Sequence, residues 1–224
     1  MILPENKWTQ RARWLYRQRV KGFPVPNNPH FDDDLDATNF FLERLALSRM
    51  YLEYGCGGST VTAARNKKNF ITVDSDRFYL ASVQKKIERQ FGSVSGMFVY
   101  ANIGLTEEWS YPSFTRLTTR RLNKWKCYPE APWAIIEKKM QFPDLVLIDG
   151  RFRVACALVS LKHLHKKSDF ILLIDDYAER PHYRVVEDFA HLDLMQGRMA
   201  VFKPKQIDPA KINAAIEAAN SDYR

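Results

Sequence analysis

The sequence predicts an α/β fold in three layers: a doubly wound sheet, mostly parallel with an antiparallel strand near the C-terminus, and helices on both faces. Three observations carry this. Apolar runs of strand length near 50–54, 69–74, 96–101, 144–149 and 169–175 alternate with helical patterns near 59–66, 76–91, 132–140, 151–166 and 181–191, the repeat of a parallel sheet. Tyr51-Leu-Glu53-Tyr-Gly55-Cys56-Gly57-Gly58-Ser59-Thr60 passes from the first run into the next helix through three glycines, a loop whose backbone can approach a ligand closely. Asp74 closes the following run, 21 residues after Glu53, where a doubly wound sheet sets the carboxylate that holds a ribose.

The remaining elements follow in chain order. Residues 7–20 read as a basic amphipathic helix, and Phe23-Pro-Val-Pro-Asn-Asn-Pro as a connection that cannot be helical. A second helix is expected near 36–48, with Phe40, Phe41, Leu45 and Leu47 toward the core. Segments 192–196 and 198–203, joined near Gly197, supply the antiparallel pair. A last helix near 209–219 is capped by Asp208 with Pro209 in its first turn. The chain thus divides into an N-terminal helix and proline-rich connection, 1–35, and one α/β domain, 36–224. The stretch 102–142 is too long for an ordinary connection. Its Trp109, Tyr111, Trp125, Tyr128 and Trp133 suit either an acceptor-binding lid or an insert packed on the sheet.

At 224 residues and 46% hydrophobic content the chain can bury a full core. No apolar run approaches the roughly 20 residues of a membrane helix, and Met1-Ile-Leu-Pro-Glu lacks the basic-then-apolar pattern of a signal peptide, so a soluble, cytoplasmic protein is expected. Cys56, Cys127 and Cys156 are odd in number without metal-type spacing, which argues against a disulfide framework and a structural zinc. The net charge of +8 gathers in Lys7, Arg11, Arg13, Arg17, Arg19 and Lys21, among Trp8, Trp14 and Tyr16, and in Arg116, Arg120, Arg121, Lys124 and Lys126. Such runs suit single-stranded nucleic acid, but they equally form wet helix faces. No nucleic-acid module accompanies them. Nothing in the sequence fixes the oligomeric state.

A dinucleotide site wants Gly-x-Gly-x-x-Gly, and Thr60 stands where the third glycine belongs. Glu53-x-Gly55-x-Gly57-x-Ser59 instead resembles the first motif of the class I S-adenosylmethionine-dependent methyltransferases, whose fold is Rossmann-like, and Val73-Asp74 resembles their second. The resemblance implies S-adenosylmethionine as cofactor. It would be held by Glu53, Gly55, Cys56, Gly57, Gly58, Ser59 and Thr60, by Asp74 on the ribose, by Ser75, and near the adenine by Asn102, where many members carry an acid. The string Tyr54-Gly-x-Gly-Gly-Ser-Thr, Asp149-Gly-Arg-Phe-Arg-Val, Asp175-Asp-Tyr and Gly197-Arg-Met is further similar to a group of bacterial methyltransferase-like proteins of undefined substrate.

The last two parallel strands end in Asp149-Gly150 and Asp175-Asp176. Three carboxylates meeting there repel unless a cation or a proton compensates them. This layout resembles the metal-dependent O-methyltransferases of antibiotic sugars, which implies Mg²⁺ on Asp149, Asp175 and Asp176; without a metal, Asp149 caps the next helix and the pair serves a turn. Where those enzymes carry Asp-Gly-Asp and use the second acid as base, this chain has Arg151. His182 is the expected substitute, unless it is only a structural hydrogen-bonder. Asp149, His182 and Arg151 are therefore the candidate catalytic residues, and Arg151, Arg153 and Arg180 suit an anionic acceptor or pair with the acidic strand ends. The expected activity is O-methylation of a small molecule or glycan. A nucleic-acid-modifying protein and a nucleoside-binding module without turnover are the rival readings.

Overall fold

The computed structural model describes residues 7–224, with side chains described from Thr9 onward; the first residues and the side chains of Lys7 and Trp8, part of the N-terminal basic run, lie outside the described residues. Seven strands form one sheet in the order β3-β2-β1-β4-β5-β7-β6. They are β1 (Met50–Tyr54), β2 (Asn69–Asp74), β3 (Gly96–Tyr100), β4 (Leu145–Ile148), β5 (Ile171–Ile174), β6 (Ala190–Gln196) and β7 (Met199–Pro204). The first five are parallel. β7 runs antiparallel to both β5 and β6, with an irregularity between Leu192 and Leu194. β1 and β4 are buried along their whole length, which is why they read as unbroken apolar runs.

Alternate residues of one strand feed opposite cores. Leu145 and Leu147 of β4 face a core shared with α2 (Leu35–Leu47), α3 (Gly58–Arg65) and α4 (Arg77–Phe91). Val146 and Ile148 face the other, shared with α5 (Thr119–Glu130), α6 (Trp133–Lys139), α7 (Arg153–Leu164) and α8 (Pro209–Ala219). The helix starts are chemically defined: Asp34 caps α2 by accepting from Ala37 N at 3.0 Å, Asp76 caps α4 through Phe78 N at 2.9 Å, and Asp208 caps α8 through Ala210 N at 2.9 Å. The N-terminal helix α1 (Lys7–Tyr16) runs on through a π turn, Arg17–Lys21.

Two expectations are corrected. Leu47, expected toward the core from α2, is 69% exposed. The helix expected at 181–191 is a 3₁₀ segment, Pro181–Asp188, and β6 already begins at Ala190, which pairs with Pro204. Within 102–142, α5 was not legible, and Trp125, Tyr128 and Trp133 belong to the core at 0–1% exposure. Their polar atoms are accounted for in part by a relay: Trp133 Nε1 donates to Tyr54 Oη at 3.0 Å, which donates to the Pro129 carbonyl at 2.5 Å. Of the five aromatic residues suited either to a lid or to an insert packed on the sheet, only Trp109 and Tyr111 stand outside the core; Trp109 is 78% exposed.

Candidate active site at the carboxyl ends of the strands

β1 connects outward to β2 on one side while β4 lies on its other side, so the crevice beyond Tyr54 is the topological switch point where open α/β sheets bind ligands. The glycine loop sits there. Gly55 has φ +95°, and a Cβ on it would meet Gly150 N at 2.7 Å; only glycine lets the ends of β1 and β4 touch. A Cβ on Gly58 would strike the Asn28 carbonyl, so the proline-rich connection lies directly on the start of α3. Gly57 differs. The nearest atom to its would-be Cβ is Tyr79 Oη at 3.7 Å, an ordinary van der Waals contact, so protein packing does not demand glycine there.

Glu53 holds this loop from beneath. Fully buried, it accepts from Ser59 Oγ, from Thr60 Oγ1 at 2.5 Å and from Thr72 Oγ1 at 3.0 Å, while Thr60 Oγ1 accepts from Gly57 N at 2.9 Å. Burial pushes its carboxyl up to about 7 against those donors. Glu53, Ser59 and Thr60 thus spend their side chains on one another. Burial also raises the Cys56 thiol well above its usual range, which makes it a filler rather than a nucleophile.

Asp74 lies opposite, 5% exposed. Its Oδ2 accepts from Cys56 N at 3.1 Å and its Oδ1 from Asp76 N at 2.7 Å, so glycine loop and acid are tied. The neighbouring Ser75 hydroxyl is buried without a partner. Asn102 is exposed and turned onto its own bend, accepting from Gly104 N at 3.0 Å. A nearly buried acid tied to the glycine loop and a buried hydroxyl in want of a partner together fit the ribose of S-adenosylmethionine.

Two groups that the sequence did not single out close over the Asp74–Asp76 turn, one on each acid. Gln18, 6% exposed, donates through Nε2 to Asp76 Oδ2 at 2.6 Å and to Thr106 Oγ1 at 3.1 Å. Ser110 donates to Asp74 Oδ1 at 3.3 Å from a flap pinned by the Thr106–Pro112 bridge. α1 grips the same flap, with Trp14 Nε1 on the Thr106 carbonyl at 3.1 Å and Arg11 Nε on Glu107 at 2.6 Å. Asp76 followed by an apolar helix was legible as a cap; its second oxygen was not.

The acidic strand ends are compensated by arginines. Arg153 reaches Asp149 Oδ1 at 3.0 Å and Asp176 Oδ2 at 2.8 Å, and donates to the Asp175 carbonyl at 2.6 Å. Arg180 meets Asp176 at 2.8 Å, and Arg198, from the β6–β7 turn, meets Asp176 and, at 3.3 Å, Asp175. Burial and the neighbouring Asp149 charge push the Asp175 carboxyl up to about 7; burial and Glu53 push Asp149 upward too, against Arg153 and Arg151. The expected Mg²⁺ on Asp149, Asp175 and Asp176 finds no support: among the described residues no group of three or more His, Cys, Asp or Glu is set to hold a metal ion, and guanidinium groups lie against these carboxylates.

Arg151 is 6% exposed, with its guanidinium carbon 4.2 Å from the Tyr111 ring centroid. His182 sits 3.9 Å from Asp222 and edge-on to Tyr183. The expected catalytic set therefore divides: Asp149 joins the arginine cluster, Arg151 lies under the flap, and His182 faces the C-terminal tail. Two surface clefts, of about 250 and 390 Å³, open at the other ends of the strands beside Met50 and Asn69, away from these groups.

No protein-family model matches the chain, and no curated protein matches it in sequence. Among solved structures, a methyltransferase-like protein from Silicibacter pomeroyi superposes with a TM-score of 0.70 at 28% identity, over 88% of this chain and 99% of that one. The magnesium protoporphyrin IX methyltransferase of Synechocystis, with S-adenosylmethionine bound, gives 0.46 at 11% identity over 92% and 100% of the two chains. A Podospora anserina methyltransferase bound to S-adenosylhomocysteine gives 0.44 at 13% over 92% and 99%. The fold of this chain, as the superposition on the Silicibacter protein shows, is a Rossmann-like α/β methyltransferase fold.

Proposed function

We propose that the protein is an S-adenosylmethionine-dependent methyltransferase that methylates an oxygen of a small molecule or glycan. The observation that carries this is the 3.1 Å link between Cys56 N and Asp74 Oδ2, which joins a glycine loop to a ribose-type acid at the switch point of a methyltransferase fold. When bound, the cofactor supplies an electrophilic methyl group. The glycine loop faces its methionine portion, and Asp74 with Ser75 takes the ribose. The described part of the N-terminal segment acts as a cap on this site through Gln18.

The acceptor hydroxyl must lose its proton as its oxygen bonds to the methyl carbon and the sulfur–carbon bond breaks. Asp149 is suited to take that proton: its side chain is 36% exposed while Arg153 holds it in place, and its carboxyl is raised above the ordinary range. Positioning supplies the remainder of the rate.

Isothermal titration with S-adenosylhomocysteine tests the reading. Binding is expected, and Asp74→Ala is expected to weaken it by on the order of 2 kcal/mol, roughly 30-fold, by removing charge-assisted acceptors. No binding to the parent protein, or unchanged affinity in the variant, would sink it.

A further inference from the structure

Four arginines gather around the strand ends, and three of them are spoken for. Arg153, Arg180 and Arg198 each form ion pairs with the acidic cluster. Arg151 forms none among the described residues, although only 6% of it is exposed. Its Nε and Nη1 are both buried without a hydrogen-bond partner, as is the Tyr183 hydroxyl, whose ring is itself fully buried. A buried guanidinium with idle donors is costly unless something pairs with it, and stacking at 4.2 Å on Tyr111 offsets only part of that cost.

We propose that Arg151 is the anion-recognition residue of the acceptor site and that the acceptor is a hydroxy acid held there by its carboxylate. This rests on the methyltransferase reading. The charge count selects a carboxylate over a phosphate dianion, because one guanidinium alone is left uncompensated. Aromatic surfaces surround the position: Tyr111 covers Arg151, Tyr223 meets Tyr111 edge-on at 6.2 Å, and Trp125 packs on Tyr223 at 5.6 Å. Arg151 follows Asp149 by two residues on one loop, so a hydroxyl of the anchored molecule is presented to the proposed base.

The test titrates benzoate, benzamide and phenyl phosphate into the full chain saturated with S-adenosylhomocysteine, at fixed ionic strength. Benzoate is expected to bind at least tenfold more tightly than benzamide. Arg151→Gln is expected to abolish that difference and Arg151→Lys to retain part of it, with the S-adenosylhomocysteine isotherm unchanged in both. Removing an unpaired buried charge should also leave the unliganded Arg151→Met protein melting no lower than the parent. Benzoate binding without S-adenosylhomocysteine binding would leave the anion site standing and remove the methyltransferase reading. The proposal is overturned if benzoate and benzamide bind alike or phenyl phosphate binds best. It is also overturned if Arg151→Gln loses S-adenosylhomocysteine, which would assign the guanidinium to the cofactor's own carboxylate, or if Arg151→Met melts several degrees lower, which would make the residue structural.

Discussion

Ser110 offers its hydroxyl to the same Asp74 oxygen, Oδ1, that accepts from the Asp76 backbone, at 3.3 Å. A ribose hydroxyl that takes this oxygen must displace Ser110. Trp109 and Ser110 both hold left-handed backbones, φ +57° and +60°, a conformation costing a side-chain-bearing residue about 1 kcal/mol or more that displacement of the flap would release.

Removing the internal competitor should therefore quicken cofactor entry. With a long neutral hydrogen bond worth about 0.5–1 kcal/mol, Ser110→Ala is expected to raise the association rate of S-adenosylhomocysteine by roughly two- to fivefold. Stopped-flow fluorescence of exposed Trp109 reads this directly, and an unaltered rate would show that Ser110 does not guard the acid.

Stability should fall as pH rises. Glu53 and Asp175 both titrate near 7 in the fold, against about 4 in an unfolded chain. Each is bound more tightly to its proton when folded, so the stabilisation is fully present below about pH 4 and lost as pH climbs through about 7. Calorimetric melting points are expected to decline between pH 5 and 8, with a shallower decline in Asp175→Asn and no response to Mg²⁺. A variant with the parent's slope, or a melting point raised by Mg²⁺, would contradict the arginine-compensated cluster.

The two tryptophans of the 102–142 stretch should behave oppositely. Trp125 is fully buried, and Trp125→Ala is expected to cost about 3–5 kcal/mol through the cavity it leaves. Trp109→Ala should change stability by less than about 0.5 kcal/mol, in keeping with an exposed surface position. Urea denaturation of the pair decides whether this stretch is core, as packed here, or a detachable lid.

The basic runs should bind nucleic acid weakly. Arg116, Arg120, Arg121 and Lys124 are exposed or nearly so, but Arg121 donates to the Arg116 carbonyl and Lys126 pairs with Glu217 at 2.5 Å, as on an ordinary wet face. Any RNA or DNA affinity is expected to vanish near 150 mM salt, with a log–log slope of roughly −0.7 per phosphate on single strands. Submicromolar binding at that salt, lost when Arg116, Arg120 and Arg121 are replaced together, would make nucleic acid the acceptor class to pursue.

What the sequence revealed was local. Strands ending in Glu53-Tyr54, Asp74, Asp149 and Asp175, and caps such as Asp208-Pro209, declare themselves through short-range pattern. The helix α5 did not, because Thr118-Thr119 and an internal Pro129 are poor helix signals and its stability comes from burying Trp125 and Tyr128. Arg198 was invisible as a partner of Asp176 because it sits in a turn. It reaches the acids through the antiparallel pairing of β5 with β7, where Ile174 faces Ala200. Gln18 and Ser110 were missed because each meets its acid only through tertiary docking.

The seam between the N-terminal connection and the β6–β7 turn bears on how the protein is made. Asp34 accepts from the backbone N–H of Arg198 at 2.8 Å, and a Cβ on Gly197 would collide with the Asp34 carboxylate. Their separation of 164 residues spans most of the chain. On a ribosome, which extends the chain vectorially, Asp34 waits for Arg198 before it can be fastened. The connection that lies on Gly58 stays unfastened until residue 198 has emerged, so a nascent chain stalled before it should engage S-adenosylhomocysteine poorly although every glycine and acid of the loop has already been translated.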